Sequence, residues 1–241
     1  MNSLEADLER ARELDVAAIA DAVESIGFEC TRCGGCCTAE ESDAGREPHT
    51  ATVFPDEVRR LQAIGDRVWD AVARPMPYGL EDAGPSGGAC GSTEGTRDPS
   101  GETFEWALAV DGCGDCVFYT ETEEGVGACT VHEARPLVCR TYPFSLDVLS
   151  DRGVEEAVVE RDEAVLAHEC AGLGRDISRA NAEAMAETLK RRAIRELEEA
   201  IAVRDSYRPT AVDGVVVHDS EGQKRPDGRR LGDGSGSDGP R

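Results

Sequence analysis

The run Phe28-Glu-Cys30-Thr-Arg-Cys33-Gly-Gly-Cys36-Cys37 constrains this chain more than any other segment. Its four thiols fall within eight residues, separated by two, two and no residues, and they converge only if the backbone loops back on itself. Gly34 and Gly35 permit the positive backbone angles that such a loop needs. Amide N–H groups exposed by the loop would stabilise thiolate charge. A second group of cysteines follows at Cys113, Cys116, Cys129, Cys139 and Cys170, with Cys90 between the two groups.

Ten cysteines mean different things in different compartments. The amino terminus, Met-Asn-Ser-Leu-Glu-Ala-Asp, has neither a basic leader nor an apolar core of a signal peptide. No stretch approaches the roughly 18 apolar residues of a membrane span. The expected location is therefore the cytoplasm, where a disulfide framework is not expected and clustered thiols read as metal ligands. The competing reading is a thiol–disulfide relay at Cys113-x2-Cys116, but that pair does not open a βαβ unit. The spacing Cys30-x2-Cys33-x2-Cys36 matches the first three ligands of a bacterial ferredoxin run. The fourth ligand of that run is missing, so a remote cysteine would have to replace it. Zinc accepts the same thiolates, and spacing leaves zinc, iron and an iron–sulfur cluster all open.

The formal net charge is −23, and only two lysines, Lys190 and Lys224, stand among 26 basic residues. An acidic, lysine-poor chain of this kind is expected to work in very high salt, where self-repulsion is screened. No basic stripe is visible to release counterions from phosphate, which argues against a nucleic-acid partner. Aromatic residues make up 5% of the chain, and the apolar content is largely Ala and Val. Each buried side chain then contributes little area, and metal–thiolate bonds are an expected second source of stability.

The patterning predicts a helix over residues 3–26, capped by Ser3 and stopped at Gly27. A second helix is expected from Pro55 to Gly65 with Val58, Leu61 and Ile64 on one face, and a further turn near Val68 to Val72. Residues 79–103 read as a surface insertion. Alternation at Phe104, Trp106, Leu108 and Val110 predicts a strand, and another runs from Phe144 to Leu149, turning at 151–153 to return through Val158 and Val159. The clearest amphipathic helix spans 178–204, with Met185, Leu189, Ala193, Leu197 and Ile201 at four-residue steps. The expected architecture is α+β: a small irregular cysteine-rich metal-binding domain at 28–174 with flanking helices and a short antiparallel sheet. A largely disordered tail is expected at 205–241.

The residues resemble the YkgJ-like cysteine-cluster family, whose members are described as carrying a zinc- or iron-chelating domain. The resemblance rests on Phe28 to Cys37, on Val53 to Leu61, and on Cys116-Val-Phe. It continues through Cys129-Thr-Val-His-Glu-Ala-Arg135-Pro136-Leu-Val-Cys139-Arg140-Thr-Tyr142-Pro143-Phe144 and ends at Cys170-Ala-Gly-Leu-Gly, where the family usually has Cys-Pro-Gly. It implies metal chelation by Cys30, Cys33, Cys36, Cys37, Cys116, Cys129, Cys139 and Cys170, and leaves Cys90 and Cys113 as extras. The metal ion is the one partner it implies. The motif is also similar to the cysteine segment of flagellin lysine methylases, but nothing in this chain resembles a methyl-donor site.

His132 could complete a mixed Cys/His site, and His168 could support a ligand from behind; His49 and His218 read as ordinary loop residues. Arg135, Arg140 and Glu133 flank the second cysteine group, where an arginine can offset thiolate charge or form a structural ion pair. Pro136 and Pro143 are expected to fix turns, and Tyr142 and Phe144 to be core and strand residues. There is no catalytic triad, nucleotide-binding glycine loop or His-Glu metalloprotease motif, so the sequence assigns no reaction.

Overall fold

The structure, a computed structural model, describes residues 3–42, 45–81, 99–148, 158–211 and 213–232. Its helices are α1 (Leu4–Glu13), α2 (Val16–Ile26), α3 (Pro55–Gly65), α4 (Leu137–Thr141) and α5 (Arg179–Ser206). The first strands are β1 (Glu40–Ser42), β2 (Gly45–Glu47), β3 (Thr52–Val53), β4 (Ala73–Pro75), β5 (Leu80–Glu81), β6 (Ser100–Thr103) and β7 (Trp106–Leu108). They are followed by β8 (Tyr119–Glu121), β9 (Gly127–Cys129), β10 (Phe144–Leu146), β11 (Val158–Asp162), β12 (Val165–His168), β13 (Val215–Asp219) and β14 (Gly222–Lys224). The fold is α+β with several small, mainly antiparallel sheets, as the patterning predicted. Two compact units emerge, Met1–Thr38 with Phe118–Ile201 and Ala39–Val117 with Ala202–Arg241.

In the first unit, the helix predicted over 3–26 is two helices. Ser3 caps α1 by accepting from the Ala6 amide, but the chain leaves helical geometry at Leu14 and Asp15 caps α2 by accepting from Ala17. An aspartate offers the backbone a local partner outside the helix, which favours a new start there. The break serves two cores. Leu8 and Ala11 pack with Val148, Ala193 and Leu197. Ile19, Ala20, Val23 and Ile26 pack with Phe144, Val165, Ala186 and Leu189. Helix α5 contributes to both through the predicted four-residue steps. Lys190 of α5 donates from Nζ to the Leu14 carbonyl at 2.7 Å, satisfying a group near the break.

The sheet in this unit runs β10-β12-β11. The sequence paired β10 with the returning segment at 158–159; the neighbour of β10 is instead β12, with Phe144 opposite Ala167 and Leu146 opposite Val165. Strand β12 buries Val165, Leu166 and Ala167, so it takes the centre, while the more polar β11 takes the edge. The turn expected at 151–153 lies outside the described residues.

In the second unit, α3 forms as predicted, with Val58 and Leu61 buried, but Ile64 is exposed. Strand β7 lies between β3 and β4 and buries Trp106, Ala107 and Leu108 consecutively. The expected alternation fails because a covered central strand has no solvent face; Phe104 falls outside it and is exposed. The largely disordered tail is corrected too. Strand β13 runs parallel to β6, pairing Val215 with Gly101 and Val217 with Thr103, and β14 adds antiparallel to it. Residues 215–219 and Lys224 are buried, His218 among them, so His218 is a strand residue and not a loop one. The ends of the predicted insertion, β5 and β6, are strands of this same sheet, and residues 82–98 lie outside the described residues. Partners so far apart in sequence carry no local signal.

Candidate metal centre

Helix α2 delivers the chain to the cysteine run. It ends at Gly27, whose amide donates to the Val23 carbonyl at 2.9 Å. Phe28 bridges to Leu173, the Glu29 amide donates to the Gly172 carbonyl at 3.0 Å, and the Gly174 amide donates to the Gly27 carbonyl at 3.1 Å. Phe28 also sets its ring edge-on to Phe144, 5.8 Å between centroids, which ties this ladder to the core. The pairing of 27–29 with 172–174 draws the Cys170 turn to the start of the cysteine run, although 139 residues separate Cys30 from Cys170 in sequence.

Electrostatics record that proximity. Burial raises the Cys170 thiol pKa, and the neighbouring Cys36, Cys33 and Cys30 push it up further, while the Gly172 amide, 3.4 Å from its Sγ, works in the opposite sense. The Tyr142 phenol is pushed up to about 12 by burial and then by Cys170, Cys36, Glu169 and Cys33. Its hydroxyl donates to the Glu169 carbonyl. Tyr142 was expected to be a core or strand residue; it stands at the cysteines, and its position in the Arg-Thr-Tyr-Pro string after Cys139 was the available signal.

Gly34 makes the turn within the run. Its φ is +81°, and its carbonyl accepts from the Cys37 amide at 2.7 Å and the Thr38 amide at 3.1 Å. A Cβ here would lie 2.7 Å from Tyr119 Cζ, so the position excludes any side chain. Tyr119 belongs to the β8–β9 hairpin and lies opposite Cys129, and the Gly127 amide of that hairpin donates to the Arg32 carbonyl at 2.8 Å. The hairpin therefore braces the loop. Cys36 and Cys37 set their sulfurs 3.8 Å apart. Hydrogen bonding to Cys37 lowers the Cys36 thiol to about 7, and Arg135 adds to the shift. The Arg135 charge acts in the same direction as the Cys37 hydrogen bond.

Eight of the nine described cysteines stand outside disulfides, and they are the eight expected as ligands. Cys30, Cys33 and Cys36 are exposed, Cys37, Cys129, Cys139 and Cys170 are half-buried, and Cys116 is buried. Cys139 sits in α4, and Cys116 belongs to the second unit, where it bridges to Val110. Cys113 is disulfide-bonded, so the expectation of reduced cysteines throughout does not hold there; Cys116 is not its partner, which removes the Cys113-x2-Cys116 relay. Cys90 lies outside the described residues. The histidines are engaged elsewhere: His168 Nε2 meets Ser145 Oγ at 2.8 Å, and exposed His132 meets Glu133 at 3.1 Å.

Among the described residues, no three or more His, Cys, Asp or Glu side chains are gathered closely enough to hold a metal ion. The donor chemistry nevertheless fits zinc or iron. The donors are soft thiols, one of them with its pKa lowered, with the Arg135 charge acting on it and an amide N–H on the Cys170 sulfur. Metal–thiolate bonding would stabilise such a set once it is gathered.

A family model named CxxCxxCC and described as "Putative zinc- or iron-chelating domain" matches residues 29–171. The chain belongs to this family. The matched region includes every one of the eight cysteines outside disulfides. No curated protein and no solved structure matches the chain. No helix among the described residues is long and apolar enough to cross a membrane.

Proposed function

We propose that Cys30, Cys33, Cys36 and Cys170 hold an iron–sulfur centre in a cytoplasmic protein adapted to high salt. Cys37, Cys116, Cys129 and Cys139 are the remaining ligand candidates of the family pattern. The observation that carries this reading is the ladder between 27–29 and 172–174. The ferredoxin-like triple spacing lacks its fourth ligand, and Cys170 is the remote thiol beside it. Such a centre would supply one-electron transfer when bound. The chain's own contribution is to hold the loop through Gly34 and Tyr119, offset thiolate charge through Arg135, and limit access from the Tyr142 side.

A second reading is a structural zinc module without catalysis, since four thiolates suit a closed tetrahedral zinc site. Zinc would close the loop and stabilise the unit. Metal and sulfide analysis of protein purified anaerobically in high salt separates the two. Iron, acid-labile sulfide and a broad visible absorbance are expected for the first; a colourless protein with stoichiometric zinc is expected for the second. Cys170→Ser should lower the metal content in either case. A variant with unchanged metal content removes Cys170 from the ligand set, and wild-type protein that binds neither metal refutes both readings.

A further inference from the structure

The second unit contains a cleft of about 450 Å³ that has no part in the cysteine chemistry. It lies between α3 and the turn after β14, and its walls include Arg59, Trp69, Glu221, Lys224, Arg229 and Arg230. Four cationic side chains line it with Glu221, and Asp219 and Asp227 pair with two of them, in a chain whose net charge is −23. The segment Lys224-Arg225-Pro-Asp-Gly-Arg229-Arg230 concentrates this charge, against the trend of the whole sequence.

The cations are not equally occupied. Arg59 grips Glu221 through two hydrogen bonds, at 3.0 and 2.5 Å. Lys224 is buried and holds Asp219 and Glu221 at 2.8 and 2.7 Å. Arg229 spends its Nε on Asp227 at 2.9 Å and leaves the rest of its fork exposed. Arg230 is exposed and makes no ion pair or side-chain hydrogen bond among the described residues. Trp69 is 9% exposed, and its indole Nε1–H is buried with no acceptor among the described residues. Its ring is held in place by the Trp106 edge at 5.0 Å, by Lys224 Nζ 5.0 Å from its centroid, and by the Gly228 backbone, which approaches so closely that a Cβ would overlap the ring. Trp106, by contrast, donates to Asp219 at 2.8 Å.

We propose that this cleft binds the phosphoryl group of a small organic phosphate. Arg230 and the unoccupied nitrogens of Arg229 supply the guanidinium forks, and the Trp69 side chain forms part of the wall. Guanidinium forks match oxyanion geometry, and two adjacent ones suit a dianion with three terminal oxygens. The volume falls within the ~300–1,000 Å³ of small-molecule sites, which leaves room for an organic remainder. A nucleic acid would need a basic track, and the chain as a whole carries a net charge of −23. This inference does not depend on which metal the cysteines hold.

Calorimetric titration of the full chain in chloride buffer tests it, with inorganic phosphate, pyrophosphate and citrate as probes. Inorganic phosphate and pyrophosphate should each saturate one site per chain. Arg230→Ala should weaken both by roughly 10-fold or more, the loss expected for a charge-assisted pair, with the melting midpoint and metal content unchanged. Arg230→Lys, which keeps the charge and loses the fork, should fall in between. The indole N–H resonance of Trp69 should shift on phosphate addition while that of Trp106 stays in place. Absence of saturation by either phosphate probe, equal affinity in Arg230→Ala, an unmoved Trp69 resonance, or saturation by citrate in preference to phosphate would each overturn the proposal.

Discussion

Replacing Lys224 by Met tests whether a lysine can be a core residue in a chain that has almost none. Its side chain is 3% exposed and its ammonium lies 2.8 Å from Asp219, itself 1% exposed. At an effective dielectric constant of about 20, the gross attraction across that distance is about 6 kcal/mol, and desolvation of the two ions offsets several kcal/mol of it. The pair therefore contributes little net stability relative to an apolar core. Breaking it is another matter, because Lys224→Met strands a buried carboxylate, which typically costs about 3–5 kcal/mol. Asp219 keeps two donors, Trp106 Nε1 at 2.8 Å and the Glu221 amide at 2.9 Å, so the expected loss is at the lower end, about 3 kcal/mol. Against a total of about 5–15 kcal/mol for a domain, that is a large fraction. Urea unfolding at fixed KCl, followed by the fluorescence of Trp69 and Trp106, reads the loss directly, since both rings adjoin the pair. Adding Asp219→Asn removes the stranded charge while keeping an acceptor for Trp106, and should recover most of it. The loss should also persist in multimolar salt, because buried pairs are screened far less than surface ones. A loss below about 1 kcal/mol, or a double variant no better than the single one, would refute the reasoning.

Further predictions address pH, the cysteine loop and salt. Burial, aided by Arg74, lowers His49 to about 4 while Asp115 opposes the shift, so the unfolded chain takes up this proton first as pH falls. Its contribution is complete above pH 6.5 and is lost as pH falls toward 4, up to about 3 kcal/mol in all; His49→Gln should flatten the urea midpoint against pH in that window, and an unchanged slope would count against it. Gly34→Ala combines a left-handed backbone with a collision against Tyr119, and should cost at least about 1–2 kcal/mol and weaken metal binding. Wild-type metal affinity in that variant would remove the bracing role of the β8–β9 hairpin. With a net charge of −23, the urea midpoint should rise from low to multimolar KCl, and a flat response would refute the adaptation to salt.

Much of this protein was legible because it is local chemistry. Thiols two residues apart around Gly34 announce a thiolate loop wherever they occur, and Ser3, Pro55 and the four-residue steps of α5 act on their own turns of helix. Where an immediate neighbour intervened, as Asp15 did within the predicted first helix, local competition redirected the chain. The sequence by itself therefore determined the α+β class, the family, the run of clustered cysteines and the acidic composition. Only the tertiary structure decided which segments meet: β12 and not β11 beside β10, β13 of the supposed tail against β6, and Cys170 beside Cys30 through the ladder to Gly172. It also decided that Tyr142 faces thiols, that Trp69 keeps an N–H with no acceptor among the described residues, and that Lys224 is interior. The physical reason is the range of the interactions. Capping, backbone angles and donor softness belong to a residue and its neighbours, whereas strand pairing and burial depend on closing loops of tens to hundreds of residues, whose outcome is a property of the whole core.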